Sequence, residues 1–151
     1  FNRETTDLVI VIEQTLRSMK QAYHREFNLI LDPSFKTRIY KTDEEKLKQL
    51  LFIFLDNARK YSEDEIDITI AETPTLIKIA ITDRGIGIPV DSIPKVFDRF
   101  YRVDEARNRK TGGTGLGLSV AKAMAEGLDI KLKINSVVLV GTTITLELPK
   151  K

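Results

Sequence analysis

Apolar residues recur at helical spacing in two stretches of the chain. The first, residues 8–23, predicts a helix with Asp7 as its N-cap. The second begins at residues 42–45, which match a capping box with Thr42 as the N-cap and Glu45 three positions later, and it predicts a helix that ends near Tyr61. The two predicted apolar stripes are Leu8, Val11, Ile12, Leu16, Met19 and Tyr23 in the first helix, and Leu47, Leu50, Leu51, Phe54, Leu55 and Ala58 in the second.

Strict alternation of apolar and polar residues predicts strands elsewhere. Residues 66–70 and 77–81 alternate on either side of Thr73-Pro74-Thr75, which is typical of a hairpin. The charged, glycine-ended segment 102–113 lacks apolar periodicity and predicts a mobile loop. The remaining predicted elements are strands at 27–31, 36–40, 130–134 and 142–148 and helices at 91–97 and 115–126.

This order of elements predicts an α/β two-layer sandwich. One layer is a mixed, mostly antiparallel sheet of about five strands, because the hairpin makes adjacent strands antiparallel. About three helices back the sheet. We expect residues 1–151 to form one domain, cut from a longer protein because the chain starts at Phe1 without a methionine.

Composition narrows the classes of function. The chain is 42% hydrophobic and 30% charged, as in an ordinary soluble domain. Its net charge of +2 does not favour a nucleic acid or a membrane surface as a partner. The absence of cysteine excludes disulfides and a thiol nucleophile and fits a reducing compartment. No apolar run is long enough to cross a bilayer.

Two glycine-rich stretches carry the candidate chemistry. Residues 83–88 place a carboxylate before two glycines, and residues 111–118 contain four glycines around the start of the helix predicted from residue 115. Backbone N–H groups at the start of a helix bind anions well, so the pair of stretches suits a nucleotide. Taken alone, the second stretch could equally be a flexible linker, because it matches neither a Walker loop nor a dinucleotide fingerprint.

Asn57, Lys60 and Tyr61 lie on one turn at the end of the second predicted helix. A lone helix-end asparagine more often bonds to the backbone. Here its amide oxygen is also a suitable Mg²⁺ ligand, the lysine can meet a phosphate, and the tyrosine can cover a base.

Asp83 follows a predicted strand and precedes Arg-Gly. It can be an ordinary turn residue. In a half-buried pocket, however, its carboxylate would accept a hydrogen bond from the exocyclic amine of adenine, where guanine has a carbonyl.

Four segments, read together, resemble the N, G1, F and G2 boxes of bacterial sensor histidine kinases, in that family's order and spacing. They are DNARKYS at 56–62, DRGIGIP at 83–89, VFDRFYR at 96–102 and GTGLGLS at 113–119, with Gly141-Thr142 as a weaker last box. The resemblance covers essentially the whole chain and implies a Bergerat-type ATP-binding domain of the histidine kinase, gyrase and chaperone ATPase superfamily.

The resemblance also implies a role for each residue of these boxes. Asn57 would be the Mg²⁺ ligand, Lys60 and Arg102 phosphate contacts, and Tyr61 the residue that packs on adenine. Asp83 would read adenine with support from Thr142. Residues 102–113 would form a lid over ATP. The implied ATP-binding set is Asn57, Lys60, Tyr61, Asp83, Gly85, Gly87, Ile88, Arg102, Gly113, Thr114, Gly115, Leu116, Gly117, Leu118 and Thr142.

A kinase of this kind transfers the γ-phosphate of ATP to a histidine on a separate helical dimerisation domain, from which a response regulator receives it. The chain's one histidine, His24, stands at a predicted helix end and has no acceptor motif around it, so we expect a surface residue and no autophosphorylation of the isolated chain. The resemblance implies a cytoplasmic domain of a membrane-anchored kinase.

Two positions depart from the family pattern, and one of them also bears on its rivals. Ile53 stands where many relatives have a second asparagine, and where related ATPases keep a glutamate base; Leu139 stands where a glycine is common in the last box. Two alternatives stay open at this point, a nucleotide-binding regulatory module without transferase activity and an ATPase domain of the same superfamily.

Overall fold

The computed structural model describes residues 1–98 and 117–150. In these ranges the helices are α1 (Leu8–Tyr23), α2 (Glu44–Tyr61) and α3 (Gly117–Gly127), and a 3₁₀ helix covers Ile93–Lys95. The strands are β1 (Glu4–Asp7), β2 (Phe27–Leu31), β3 (Ile39–Thr42), β4 (Ile66–Glu72), β5 (Leu76–Asp83), β6 (Lys131–Val137) and β7 (Gly141–Pro149).

One layer of the fold is a five-stranded sheet in the order β2-β4-β5-β7-β6. Only the β2–β4 pair of this sheet is parallel, and the other three pairs are antiparallel. β1 and β3 form a separate two-stranded antiparallel sheet. Within the described residues, α1, α2 and α3 make up the second layer, so the predicted two-layer α/β sandwich is confirmed.

The core lies between the helices and one face of the large sheet. Alternate residues of the strands point into it, because side chains along a strand face opposite sides in turn. All the residues of both predicted helical stripes are buried except Tyr23, which is partly exposed. The strands contribute Ile66, Ile68, Ile70, Ile77, Ile79, Ile81, Ile144, Leu146 and Leu148.

The predicted N-cap of α2 is wrong by one residue. Asp43 is the cap, and its Oδ1 accepts a hydrogen bond from the backbone N–H of Lys46 at 3.1 Å. Thr42 stays extended because it belongs to β3, opposite Glu4. The second carboxylate oxygen of Asp43 accepts the N–H of Asn2 at 2.8 Å, so one side chain ties the start of the chain to the helix.

The strand predicted at residues 36–40 is also displaced, to Ile39–Thr42. The N–H groups of Lys36 and Thr37 donate to the Oε1 atom of Glu72, at 2.9 and 2.8 Å, and so cannot form a ladder. Oε2 of Glu72 accepts from Thr37 Oγ1 and from Lys150 Nζ, both at 2.7 Å. With the Lys150 ammonium as the largest cause, these donors hold the pKa of the Glu72 carboxyl well below its usual range.

The helix predicted at 91–97 is reduced to the 3₁₀ helix, because Pro94 disfavours the α conformation in Ile93 before it. β6 runs to Val137, three residues beyond its predicted end. The helix predicted from residue 115 is described from Gly117 onward. The predicted loop at 102–113 lies outside the described residues.

We expect Glu72→Gln to lower the free energy of unfolding at pH 7. A carboxyl whose folded pKa is depressed stabilises the fold above its unfolded pKa, near 4.3, and this contribution is lost as the pH falls through the folded pKa. The difference between the wild type and the variant should therefore shrink below about pH 4. Urea unfolding across a pH series measures it.

The matched control is Glu13→Gln on the exposed side of α1. It should leave the unfolding free energy unchanged at both ends of the series. A Glu72→Gln variant whose stability deficit is constant with pH would show that the carboxylate charge has no part in holding residues 36–37 and Lys150.

Candidate functional site

Asp83 and Thr142 form a directly opposed pair at the ends of β5 and β7. Asp83 continues the buried alternation of Ile77, Ile79 and Ile81, and Thr142 continues that of Ile144. Each residue is therefore a polar group on the core face of the sheet, at the point where the apolar core ends, and each is only 9% exposed.

One oxygen of the Asp83 carboxylate is held by the backbone. Oδ1 accepts the N–H of Gly85 at 2.9 Å and the N–H of Thr142 at 3.3 Å. Within residues 1–98 and 117–150, Oδ2 makes no hydrogen bond. Burial raises the pKa of this carboxyl, while the two backbone donors and the charge of Arg25 oppose the rise. The arrangement leaves an acceptor for a ligand.

The loop after β5 is fastened to the end of α2. The backbone N–H of Ile86 donates to the carbonyl oxygen of Tyr61 at 3.3 Å, which satisfies one of the carbonyls that a helix end leaves unpaired. Gly85 lies so close to this carbonyl that an added Cβ would overlap it. Asp83, Gly85 and Tyr61 are thus brought together by a contact that only glycine allows.

The same loop is fastened on its other side to the turn between β6 and β7. The N–H of Leu139 donates to the carbonyl of Ile86 at 2.8 Å. Gly87 has a φ of +74°, and a Cβ there would overlap the carbonyl oxygen of Val137, so glycine is required on both counts.

Leu139 itself has a φ of +66° and is 84% exposed. The histidine kinases that the sequence resembles commonly have glycine at this position. A left-handed conformation is unfavourable for a residue with a Cβ, by about 1–2 kcal/mol.

Ser136 joins the loop to the start of β7. Its Oγ accepts the N–H of Ile88 at 2.7 Å and lies 2.7 Å from Oγ1 of Thr142 and 3.1 Å from the carbonyl oxygen of Gly141. The two predicted residues Ile88 and Thr142 are therefore linked through a serine that the sequence analysis did not single out.

Asn57 lies one turn before Tyr61 on α2 and is partly exposed. Within the described residues its amide makes no hydrogen bond, so it is not the backbone-bonded asparagine of the simpler interpretation. Lys60 is partly exposed beside it, with Nζ 3.4 Å from Oδ2 of Asp56. Asp56 also holds Arg59, at 2.7 Å. Within the described residues, this face of α2 therefore presents an amide that makes no hydrogen bond and a lysine ammonium whose ion pair with Asp56 is long.

Arg25 braces the end of α2. Its guanidinium donates to the carbonyl of Arg59 at 3.0 Å, to Ser62 Oγ at 3.2 Å and to the carbonyl of Asp64 at 2.6 Å. Arg59 in turn lies over the ring of Tyr23, 3.9 Å from its centroid. These contacts fix the helix turn that carries Lys60 and Tyr61.

The start of α3 lies beside the same face of α2. A Cβ on Gly117 would be 3.9 Å from Cγ2 of Ile53, which is one turn before Asn57. Leu118 packs against the core from this first turn. The predicted site residues Arg102, Gly113, Thr114, Gly115 and Leu116 lie outside the described residues.

Two residues of this region, Arg25 and Ser136, were missed from the sequence. Ser136 did carry a signal, because it continues the inward-facing alternation of Leu132 and Ile134, where a polar residue is unexpected. The predicted end of β6 at residue 134 placed Ser136 outside the strand, whereas β6 runs to Val137. Arg25 carries no local signal, since its partners are about 34 or more residues away along the chain.

His24 is exposed and caps the C-terminal end of α1 with a φ of +52°. The prediction of a surface residue at a helix end is confirmed. In the described part of the chain, no group of three or more His, Cys, Asp or Glu side chains could hold a metal ion, and no helix has the length and apolar character needed to cross a membrane.

Comparison with known proteins agrees with the fold and with the sequence motifs. The chain is 43% identical over 144 residues to sensor histidine kinase YkoH of Bacillus subtilis and 37% identical over 155 residues to sensor histidine kinase WalK of the same species. These matches cover 95% and 100% of this chain but only 31% and 25% of the relatives, so the chain spans less than a third of their length.

Among solved structures, a mycobacterial sensor histidine kinase, MprB, superposes with a TM-score of 0.81 at 26% identity. The match covers 98% of this chain and 97% of that one, and the fold is that of the histidine kinase catalytic domain. Residues 42–151 match the family described as Histidine kinase-, DNA gyrase B-, and HSP90-like ATPase. Since that match takes in β4, β5, β6 and β7 with the loop and helix turn described above, the chain belongs to this ATPase family.

Proposed function

We propose that this domain binds ATP with Mg²⁺ and presents the γ-phosphate to a histidine on a separate helical dimerisation domain of its parent kinase. The observation that carries the proposal is the buried carboxylate of Asp83, whose Oδ1 is anchored by two backbone donors while Oδ2 makes no hydrogen bond within the described residues. An acceptor that is fixed in place by backbone donors and keeps one oxygen available is useful in a recognition site.

At the base end, Oδ2 of Asp83 would accept the exocyclic amine of adenine. The anchored loop at residues 84–88 and the backbone of Tyr61 fix where that oxygen lies. Guanine would set its carbonyl against this oxygen, so two acceptors would be opposed. The side chain of Tyr61, at the end of α2, is the candidate for packing on the base.

At the phosphate end, Lys60 would exchange partners. Its ammonium is 3.4 Å from Asp56, which is held more closely by Arg59 at 2.7 Å. Since Asp56 keeps Arg59, Lys60 can turn to a phosphate without leaving the carboxylate unpaired. Arg102 and residues 113–116 are proposed to contact the phosphates on the strength of their motifs alone.

A magnesium ion fits this site only as a companion of the nucleotide. Asn57 supplies one neutral amide oxygen, Ile53 supplies none, and Asp56 is engaged by two cations. Mg²⁺ commonly combines one or two protein oxygens with phosphate oxygens and waters, so this set suits it. When bound, the ion would neutralise charge on the phosphates as the transfer proceeds.

The transfer forms a nitrogen–phosphorus bond at the incoming imidazole and breaks the bond from the γ-phosphorus to the bridging oxygen, so that ADP leaves. The domain contributes position and charge neutralisation. Its relatives named sensor histidine kinases are three to four times longer than the matched region. We therefore propose that the phosphoacceptor histidine belongs to another part of a cytoplasmic kinase region, and that a response regulator takes the phosphoryl group from it.

We expect ATP and ADP to bind, and GTP to bind at least about 100-fold more weakly, because a site built around one hydrogen bond rejects an analogue that leaves it unpaired. Asp83→Asn should weaken ATP binding by about 10- to 100-fold, through loss of a charged acceptor. Titration calorimetry measures both.

Asp32→Asn, in a turn at the opposite end of the sheet, is the matched control and should bind ATP normally.

Asp83→Asn should not destabilise the empty domain at pH 7. Burial raises the pKa of Asp83, so its contribution to stability falls as the pH rises through that pKa, and asparagine avoids the loss. Equal affinities for ATP and GTP would contradict the proposal that Asp83 recognises the exocyclic amine of adenine.

We expect Mg²⁺ to strengthen ATP binding and Asn57→Ala to remove most of that gain. Without nucleotide, Mg²⁺ should bind only weakly, because a single neutral oxygen does not hold the ion. The experiment measures ATP affinity with and without Mg²⁺ for the wild type, Asn57→Ala and the control Asn28→Ala on β2. Tight binding of Mg²⁺ to the nucleotide-free chain, or an undiminished gain in Asn57→Ala, would contradict the proposal.

We expect this chain to hydrolyse ATP very slowly, because Ile53 stands where related ATPases keep a base and can neither accept nor donate a proton. Incubated with labelled ATP, the chain alone should take up no label. Addition of the helical domain of a sensor kinase in trans should give label on that domain's histidine, weakly because no tether raises the effective concentration.

His24→Gln should change neither result. Acid-labile label on this chain that is lost in His24→Gln would overturn our account of His24. ATP binding without any transfer would favour the regulatory module, and rapid phosphate release would favour the ATPase.

A further inference from the structure

Ser136 stands where three segments of the site meet. It lies in β6, it accepts the N–H of Ile88 from the loop after β5, and it contacts Gly141 and Thr142 at the start of β7. All three contacts are made by the one Oγ atom, at 2.7 Å, 3.1 Å and 2.7 Å respectively. Only the hydroxyl group of the serine takes part in these three contacts. Since it has a single proton, it can donate in only one of them.

The proton count decides the direction of each bond. A serine hydroxyl has one proton and two lone pairs. The N–H of Ile88 can only donate and takes one lone pair, and the carbonyl of Gly141 can only accept and takes the proton. At the third contact Thr142 must then be the donor. This is the one arrangement in which all three contacts are hydrogen bonds.

The consequence lies at Thr142. In this arrangement the hydroxyl proton of Thr142 points at Ser136, so towards a ligand its Oγ1 can only accept. Its backbone N–H is already given to Oδ1 of Asp83. Both polar side chains at this end of the site, Asp83 and Thr142, therefore present acceptors and no donor.

We infer that Ser136 is a positioning residue that holds Thr142 as a hydrogen-bond acceptor and thereby sharpens selection for a base with an amino group. The inference rests on the proposed binding of ATP, and it concerns the selectivity of that same site. Without Ser136 the threonine hydroxyl could rotate and donate to a base carbonyl, so that a nucleotide with a carbonyl in place of the amine would be rejected less strongly.

A merely structural role for Ser136 makes a different prediction. Ser136 also holds Ile88, so its loss could loosen the loop after β5 and weaken binding of every nucleotide by the same factor. The ratio of two affinities separates the cases. Inosine triphosphate is the suitable probe, because it replaces the amine of ATP by a carbonyl at the same ring position and leaves the ribose and phosphates unchanged.

The experiment measures the affinities for ATP and inosine triphosphate by calorimetry. In Ser136→Ala the preference for ATP should fall by about 5-fold, the worth of one neutral hydrogen bond. Ser136→Thr keeps the hydroxyl and should keep the preference. In a Thr142→Val background, Ser136→Ala should produce no further fall in the ratio, since the hydroxyl it frees is absent. Ser18→Ala on α1 is the matched control and should behave as the wild type.

The outcomes are distinguishable. If the wild type prefers ATP and Ser136→Ala prefers it equally, the inference is wrong while the proposed function stands. If the wild type shows no preference, both fail. Should Ser136→Ala not fold, as judged by thermal melting, Ser136→Cys gives the same readout with less change of shape, because a thiol is a poor donor and acceptor. An undiminished ratio there would equally overturn the inference.

Discussion

The site depends on the contact between Oδ1 of Asp83 and the backbone N–H groups of Gly85 and Thr142. A carboxylate on the core face of a sheet is unfavourable unless donors surround it. Here two donors come from different segments, so the carboxylate joins the end of β5, the loop that follows it and the start of β7. The contacts through Tyr61 and Ser136 act on a loop whose first turn is already fixed by this oxygen.

Much of the fold could be predicted because its signals are local. The α1 and α2 stripes repeat at 3.6 residues and the β4–β5 hairpin alternates at two, and both patterns directly reflect which side chains are buried. Asp83 could be singled out because it follows an apolar alternation, whereas Thr142 was named only through the resemblance to histidine kinases. β1 could not, because Glu4–Asp7 is short and polar and is a strand only through its pairing with β3.

Two of the predictions that failed depended on distant partners. Lys36 and Thr37 have strand-like neighbours, yet their N–H groups are taken by Glu72, about 35 residues later. Thr42 is a good capping residue by type, but pairing with Glu4 holds it extended and passes the role to Asp43. In both cases a residue distant in the sequence forms the hydrogen bond that overrides the local preference. A pattern of neighbouring residues does not reveal that distant partner.

The two carboxylates at opposite ends of the β4–β5 hairpin show how stability and recognition are divided in this domain. The carboxylate of Glu72 accepts hydrogen bonds from four donors, and these depress its pKa. Only one oxygen of the Asp83 carboxylate accepts hydrogen bonds within the described residues, and burial raises the pKa of this group. Filling the second oxygen of Asp83 with a protein donor would stabilise the empty domain and remove the acceptor. A ligand that supplies this donor therefore gains the hydrogen bond that the fold leaves unmade, which makes Asp83 a point of recognition and Glu72 a point of stability.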